Sequence, residues 1–305
     1  MFSLTDPSYP NAALGIEADE LSAVALSRRN GTYSIRQAAS VQLLPGVLVP
    51  SFTDANIQDN TAFASALTEV IESAGLLSQK RWSVALPSNT ARTAIISLET
   101  EPANAKELDE VIDWKSEQTF GTPAGELRLA TTKISPDKDG RSRFFVTAIN
   151  LAIIDEYESH FEGRGWKAGL ILPRAVGEAN WLTGVPNADS MLISETSDGF
   201  TAILLKGQEP AVVRSVTCAP AEIEDEIYRL VMFYNDRVAG FGGSLDRLLV
   251  LGHDIAPAKV QTIASEALGR NIHVLTSAEI GLDIPSTSLN FNDLAAPAGL
   301  AALGA

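Results

Sequence analysis

A single cysteine, Cys218, stands in a chain of 305 residues, which excludes an internal disulfide and any cluster of thiolate metal ligands. Histidine is nearly as scarce: His160, His253 and His273 lie far apart and share no metal-ligand spacing. Positive charge is short as well. Against 38 Asp and Glu there are 23 Lys and Arg, a formal net charge of −15, and no basic cluster stands out. Such a surface repels nucleic acid and anionic lipid instead of gaining from counterion release, so neither is an expected partner. No stretch approaches the ~18 uninterrupted apolar residues of a membrane-crossing helix. Residues 1–10 have no basic stretch followed by an apolar run, so no secretory signal is expected and a cytoplasmic location fits. A Gly-x-Ser-x-Gly elbow, a Walker loop and a His-Glu-x-x-His motif are also missing.

What is present is a globular composition, 45% hydrophobic and 20% charged, long enough for two domains or one two-lobed protein. Residues 14–16, 23–26 and 33–35 read as strands, the last two joined by a turn at Asn30-Gly31. Residues 39–58, with Pro45, Gly46 and Pro50, read as an extended connection. A helix follows from Asn60, burying Phe63, Leu67, Val70 and Ile71 and stopping at Gly75. Residues 82–165 read as an α+β module: strands at 82–86 and 92–98, a helix opened by Asn104 and Glu107, strands at 126–133 and 143–150, and a helix at 153–162. Strands at 191–193, 200–205 and 211–216 then repeat the opening meander. They are followed by a helix at 221–235, a strand at 247–251, a helix at 259–268 and a strand at 272–275. The Ala-rich end, residues 294–305, holds Pro297 and Gly299 and reads as a docked terminal helix.

The order of these elements resembles PilM, the actin-like protein of type IV pilus assembly, and more distantly FtsA. The strings that carry the resemblance are Trp82-Ser83-Val84-Ala85-Leu86-Pro87, Val111-Ile112-Asp113-Trp114-Lys115-Ser116-Glu117-Gln118, Glu226-Ile227-Tyr228-Arg229 and Leu248-Leu249-Val250-Leu251-Gly252. The end, Asp293-Leu294-Ala295-Ala296-Pro297-Ala298-Gly299-Leu300, adds to them. The resemblance implies an α/β, actin-like (ribonuclease H-like) duplicated fold. Its first lobe would hold residues 1–81 and 166–189, the inserted subdomain 82–165, and a reduced second lobe 190–305.

Where such a fold carries an Asp-x-Gly phosphate turn, this chain reads Glu17-Ala18-Asp19, followed by Glu20. Carboxylates there repel phosphate, and a residue with a Cβ blocks close backbone approach. The second phosphate turn corresponds to Ser194-Glu195-Thr196, and the adenosine-side turn keeps only Gly252 before His253-Asp254. The small subdomain that PilM-like chains place between residues 216 and 221 is absent. The degenerate positions Glu17, Asp19, Ser194, Thr196 and Gly252 thus imply a pseudo-ATPase with no catalytic residues, no cofactor and no bound metal.

Glu17, Asp19 and Glu20, with Glu195 and Asp198 opposite, also have the chemistry of a divalent-cation site, though a solvated hairpin is the plainer reading. Cys218 has no neighbouring His or Lys to activate it. Trp82 reads as core. Trp114 and Phe120, near the loop after Gln118, are candidates for a partner groove between the first lobe and the inserted subdomain. By resemblance, the chain is expected to be a cytoplasmic scaffold held at the inner membrane by the N-terminal peptide of a single-pass, PilN-like partner. Two alternatives stay open: an ATP-binding actin-like protein with an atypical site, and a GspL-like type II secretion component. Homo-oligomerisation is left open too.

Overall fold

The computed structural model describes residues 8–184, 188–239, 245–286 and 289–305. It opens with β1 (Ala12–Ile16), β2 (Glu20–Arg29) and β3 (Thr32–Gln42). β2 and β3 join through Asn30 and Gly31, both left-handed at φ 52° and 85°, the geometry a two-residue hairpin needs. β3 runs well into the segment expected to be an extended connection, because Ala39 and Val41 still find apolar cover. Helix α1 (Asn60–Ser73) is capped by the Asp59 carboxylate, which accepts from the N–H groups of Thr61 and Ala62. Its Phe63, Leu67, Val70 and Ile71 pack on the outer face of the sheet.

β4 (Arg81–Leu86) lies parallel between β1 and β8 (Lys167–Pro173). The intervening chain forms β5 (Arg92–Ser97), α2 (Ala105–Phe120), β6 (Leu127–Ile134), β7 (Arg143–Asn150) and α3 (Leu151–Glu162). β5, β7 and β6 make a separate three-stranded sheet with α2 against it. The inserted body is therefore narrower than the expected 82–165. Trp82, Val84 and Leu86 alternate into the first core on β4, and α3 buries Ile153, Ile154, Tyr157 and Phe161 in that same core. Trp82 and Trp166 meet there edge-on at 6.3 Å.

After α4 (Arg174–Ala179) the pattern repeats as β9 (Asp189–Thr196), β10 (Gly199–Lys206) and β11 (Glu209–Thr217). α5 (Ile223–Phe233), β12 (Leu245–Leu251), α6 (Pro257–Leu268) and β13 (His273–Val274) follow. The second sheet runs β11-β10-β9-β12-β13, the same order as β3-β2-β1-β4-β8 in the first. The duplicated actin-like fold is present in both sheets. A strap, β14 (Leu282–Asp283), crosses back to extend the first sheet beside β3, and α7 (Phe291–Ala301) ends the fold.

α4 and α7 fill the space between the sheets in a reciprocal crossing. α7 lies on β1, β2 and β4 of the first half, whereas α4 touches β9 and β10 of the second. The α7 stretch from Leu294 to Ala301 is buried all round, as expected of a helix with sheet on one side and helix on the other. The helices cross on glycine: a Cβ at Gly299 would sit 1.9 Å from the Gly177 carbonyl oxygen. Pro297 remains inside α7. It cannot donate to the carbonyl of Asp293, and Ser22 Oγ donates to that carbonyl instead at 2.9 Å. Gly15 makes room for the ring, since a Cβ there would meet Pro297 Cγ and Cδ at 3.1 Å. Among the described residues, no helix is long and apolar enough to cross a membrane.

Candidate functional site

A cleft of about 740 Å³ opens between the halves. Its walls are the two matching hairpin turns, Ala18-Asp19 after β1 and Ser197-Asp198 after β9, with the residues after β12 and the first turn of α7. The hairpins place Gly15 and Ser194 at equivalent inward positions. Gly15 serves the packing of α7, and Ser194 is fully buried.

The cleft is lined by Glu17, Asp19, Glu20, Glu195, Asp198, Asp254 and Asp293. The cation set among them is Arg174, the first residue of α4. Its guanidinium contacts the Glu17 and Glu178 carboxylates, each at 2.8 Å, and donates to the Asn292 carbonyl at 3.3 Å. Burial opposes the charge of Arg174, but Glu17 and Glu178 outweigh it and hold the guanidinium protonated beyond its ordinary range. Burial pushes the Glu17 carboxyl up to about 7 against the pull of Arg174, with Glu178 and Asp19 adding to the rise. Burial, then Asp293, pushes the Glu20 carboxyl up to about 7 as well. Asp19 itself is exposed.

The second hairpin is held by its own hydrogen bonds. Asp198 accepts from Asn89 Nδ2 at 2.9 Å, Thr196 Oγ1 at 3.1 Å and Thr217 Oγ1 at 3.2 Å. Burial works against its charge, but these donors keep the carboxyl below the usual range. Asn89 belongs to the first half, so this contact spans the mouth of the cleft. Beyond β12, Gly252 has φ 150°, and a Cβ there would lie 2.3 Å from the Glu195 carboxylate, which accepts the Asp254 N–H at 3.0 Å. The glycine therefore fits a carboxylate of the protein itself. Among the described residues no three His, Cys, Asp or Glu side chains form a metal-holding group.

His253 meets Asp293 at 2.9 Å and His273 meets Glu279 at 2.6 Å, both on the surface. His160 is half-buried, bonded to Asn60 at 2.9 Å and edge-on to Phe63. Cys218 lies on the cleft wall with its thiol pushed up by burial and then by Glu226, Glu222 and Asp198, away from reactivity.

A second concavity, about 220 Å³, lies where the inserted sheet meets the first half. Among the described residues β6 pairs only with β7 and β8 only with β4, so each presents a free edge, and residues 128–130 and 168–172 line the groove from opposite sides. Ile149, Ile154 and Leu172 give it an apolar lining, and an Arg128–Glu158 ion pair at 2.7 Å links two of its walls. The aromatic pair expected here lies elsewhere. Trp114 is 60% exposed on α2, and Phe120 packs against two small clusters, one inside the inserted body that includes Ile112 and Phe144, the other of Phe52, Leu127 and Ala148. Neither lines the groove, because the face of α2 that buries Ile112 turns Trp114 outward.

No family model and no curated protein sequence matches the chain. Among solved structures it is similar to the PilM–PilN type IV pilus biogenesis complex, with a TM-score of 0.78 and 17% identity over 98% of this chain and 99% of that one. The cytoplasmic domain of EpsL, an inner membrane component of the Vibrio cholerae type II secretion system, aligns at a TM-score of 0.48 and 13% identity, over 88% of this chain and 98% of that one. A Bacteroides thetaiotaomicron protein with an actin-like ATPase fold and unknown function aligns at 0.47 and 14%, over 97% and 98%. The last two likenesses are too loose to build on. The first shows that the fold is PilM-like.

Proposed function

We propose that this chain is a PilM-like cytoplasmic scaffold of type IV pilus assembly. It binds the N-terminal segment of a PilN-like, single-pass inner-membrane protein and does not hydrolyse ATP. One observation carries the reading: in a PilM-like fold, two unpaired strand edges, β6 and β8, line a common apolar groove. An extended peptide entering there gains main-chain hydrogen bonds from an edge strand, and its alternate side chains find the aliphatic walls. The cleft between the halves supports the second part. Its carboxylates oppose a nucleotide, and its cation is already paired with Glu17 and Glu178.

The test is a titration of the full chain with a synthetic peptide spanning the first ~15 residues of a PilN-like protein; a ligand selective for the folded state raises Tm in proportion to its occupancy. Saturable binding with a raised Tm is expected. Ala130 is exposed on the groove wall, so Ala130→Arg preserves the fold and weakens binding at least tenfold. No binding at saturating peptide, or equal binding by the variant, contradicts the assignment.

A further inference from the structure

The chain enters the fold beside the groove. Ser8 is the first described residue, and its carbonyl accepts from Arg81 Nη2, at the start of β4, at 3.1 Å. Pro10 is buried against β8: a Cβ at Gly169 would touch its ring at 3.7 Å, an ordinary contact. Gly304 closes on this stretch from another side, since a Cβ there would lie 2.3 Å from the Tyr9 carbonyl oxygen. Gly169 itself lines the groove. Residues 8–10 are therefore fixed near the start of β8, and the chain that precedes them begins within reach of its edge.

That edge is apolar. Among the described residues β8 pairs only with β4, and its Leu170, Ile171 and Leu172 keep part of their surface exposed. An aliphatic edge strand is a template for another strand, and folds tend to cover such edges. Seven residues precede Ser8: Met1-Phe2-Ser3-Leu4-Thr5-Asp6-Pro7. Extended, they span up to about 23 Å, against about 16 Å for residues 168–172 of β8. Phe2 and Leu4 alternate with Ser3 and Thr5, the period of a strand with one apolar face. Pro7, which has no N–H to donate, stands where such a strand would leave the edge.

We propose that residues 1–7 add to the β8 edge as an internal strand, antiparallel to β8, with Phe2 and Leu4 turned into the groove, and that they compete there with the partner peptide. The direction follows from the connection. β1, β4 and β8 run parallel, and Ser8 is held by Arg81, which pairs with Lys167 at the start of β8. Residues before Ser8 thus run back toward Pro173. A segment on so short a tether acts at an effective concentration on the order of millimolar. Occupying the edge about nine-tenths of the time, it lowers the apparent affinity of a free peptide about tenfold. The competition rests on the reading of the groove as a peptide site, whereas the internal strand does not.

The double variant Phe2→Asp, Leu4→Asp in the full chain tests both parts. Amide hydrogen exchange of residues 168–172 is expected to quicken at least fivefold in the variant, while α1 exchanges as in the wild type and so reports an intact fold. The PilN-like peptide is expected to bind the variant at least threefold more tightly than the wild type. Equal exchange at 168–172 in the two proteins overturns the proposal, and so does equal peptide affinity where both bind. Quickened exchange with no peptide bound by either protein supports the internal strand and contradicts the partner reading instead.

Discussion

Arg174 is the side chain that ties the most elements together at the cleft wall. A guanidinium between Glu17 and Glu178, bonded also to the Asn292 carbonyl, ties β1, α4 and α7 together. Glu178 is fully buried, and its second carboxylate oxygen has no hydrogen-bond partner among the described residues. Removing Arg174 therefore leaves a buried charge uncompensated. Arg174→Met should lower unfolding stability by ~3–5 kcal/mol, measured as a urea midpoint at pH 7, and a loss under ~1 kcal/mol would mean the pair is solvated. Sequence pattern could not reveal this group. Glu17 and Arg174 are joined by the fold alone, and an Arg after Pro173 reads locally as nothing more than a helix start. What was legible at this scale was the run of carboxylates in one turn: the structure puts Glu17, Asp19 and Glu20 on the cleft wall.

Elements were legible where their signals are local. The Asn30-Gly31 turn, the Asn104 cap of α2 and the apolar face of α1 are each set by neighbours within a few residues, and each forms as read. Membership was harder. Trp82 to Leu86 was expected to open the inserted body, but its partners β1 and β8 are far away in sequence, and only the sheet shows which core its alternating Trp82, Val84 and Leu86 serve. In α7, Pro297 and Gly299 look like helix breakers, and the reason they are tolerated lies on other elements. Gly15 accommodates the proline ring, Ser22 takes up the carbonyl the proline leaves free, and Gly177 meets Gly299. That crossing has no slack. Gly299→Ala should destabilise the fold by ~1–3 kcal/mol or more, because its methyl meets backbone and not a flexible side chain. A Tm unchanged within a degree would show that α4 and α7 can separate freely.

At the scale of the whole molecule, two sheets of one topology are locked by exchanged helices, with α7 seated on the first sheet and α4 against the second. The duplication was visible as a repeated three-stranded meander, whereas the exchange was not, since nothing in a helix sequence names the sheet it will lie on. The cleft between the halves is closed by the chain's own groups: Asn89 to Asp198 at its mouth and Asn292 with Gly252 at its floor. The groove proposed for the partner lies apart from it, between β6 and β8. We propose that the cleft is a structural seam that receives no nucleotide. Isothermal titration of the purified chain with Mg-ATP, at protein concentrations that resolve micromolar affinity, tests it most directly. No saturable heat is the predicted result. Saturable binding that Arg174→Met or Gly252→Ala weakens would show that the acidic walls still cradle phosphate, and would contradict it.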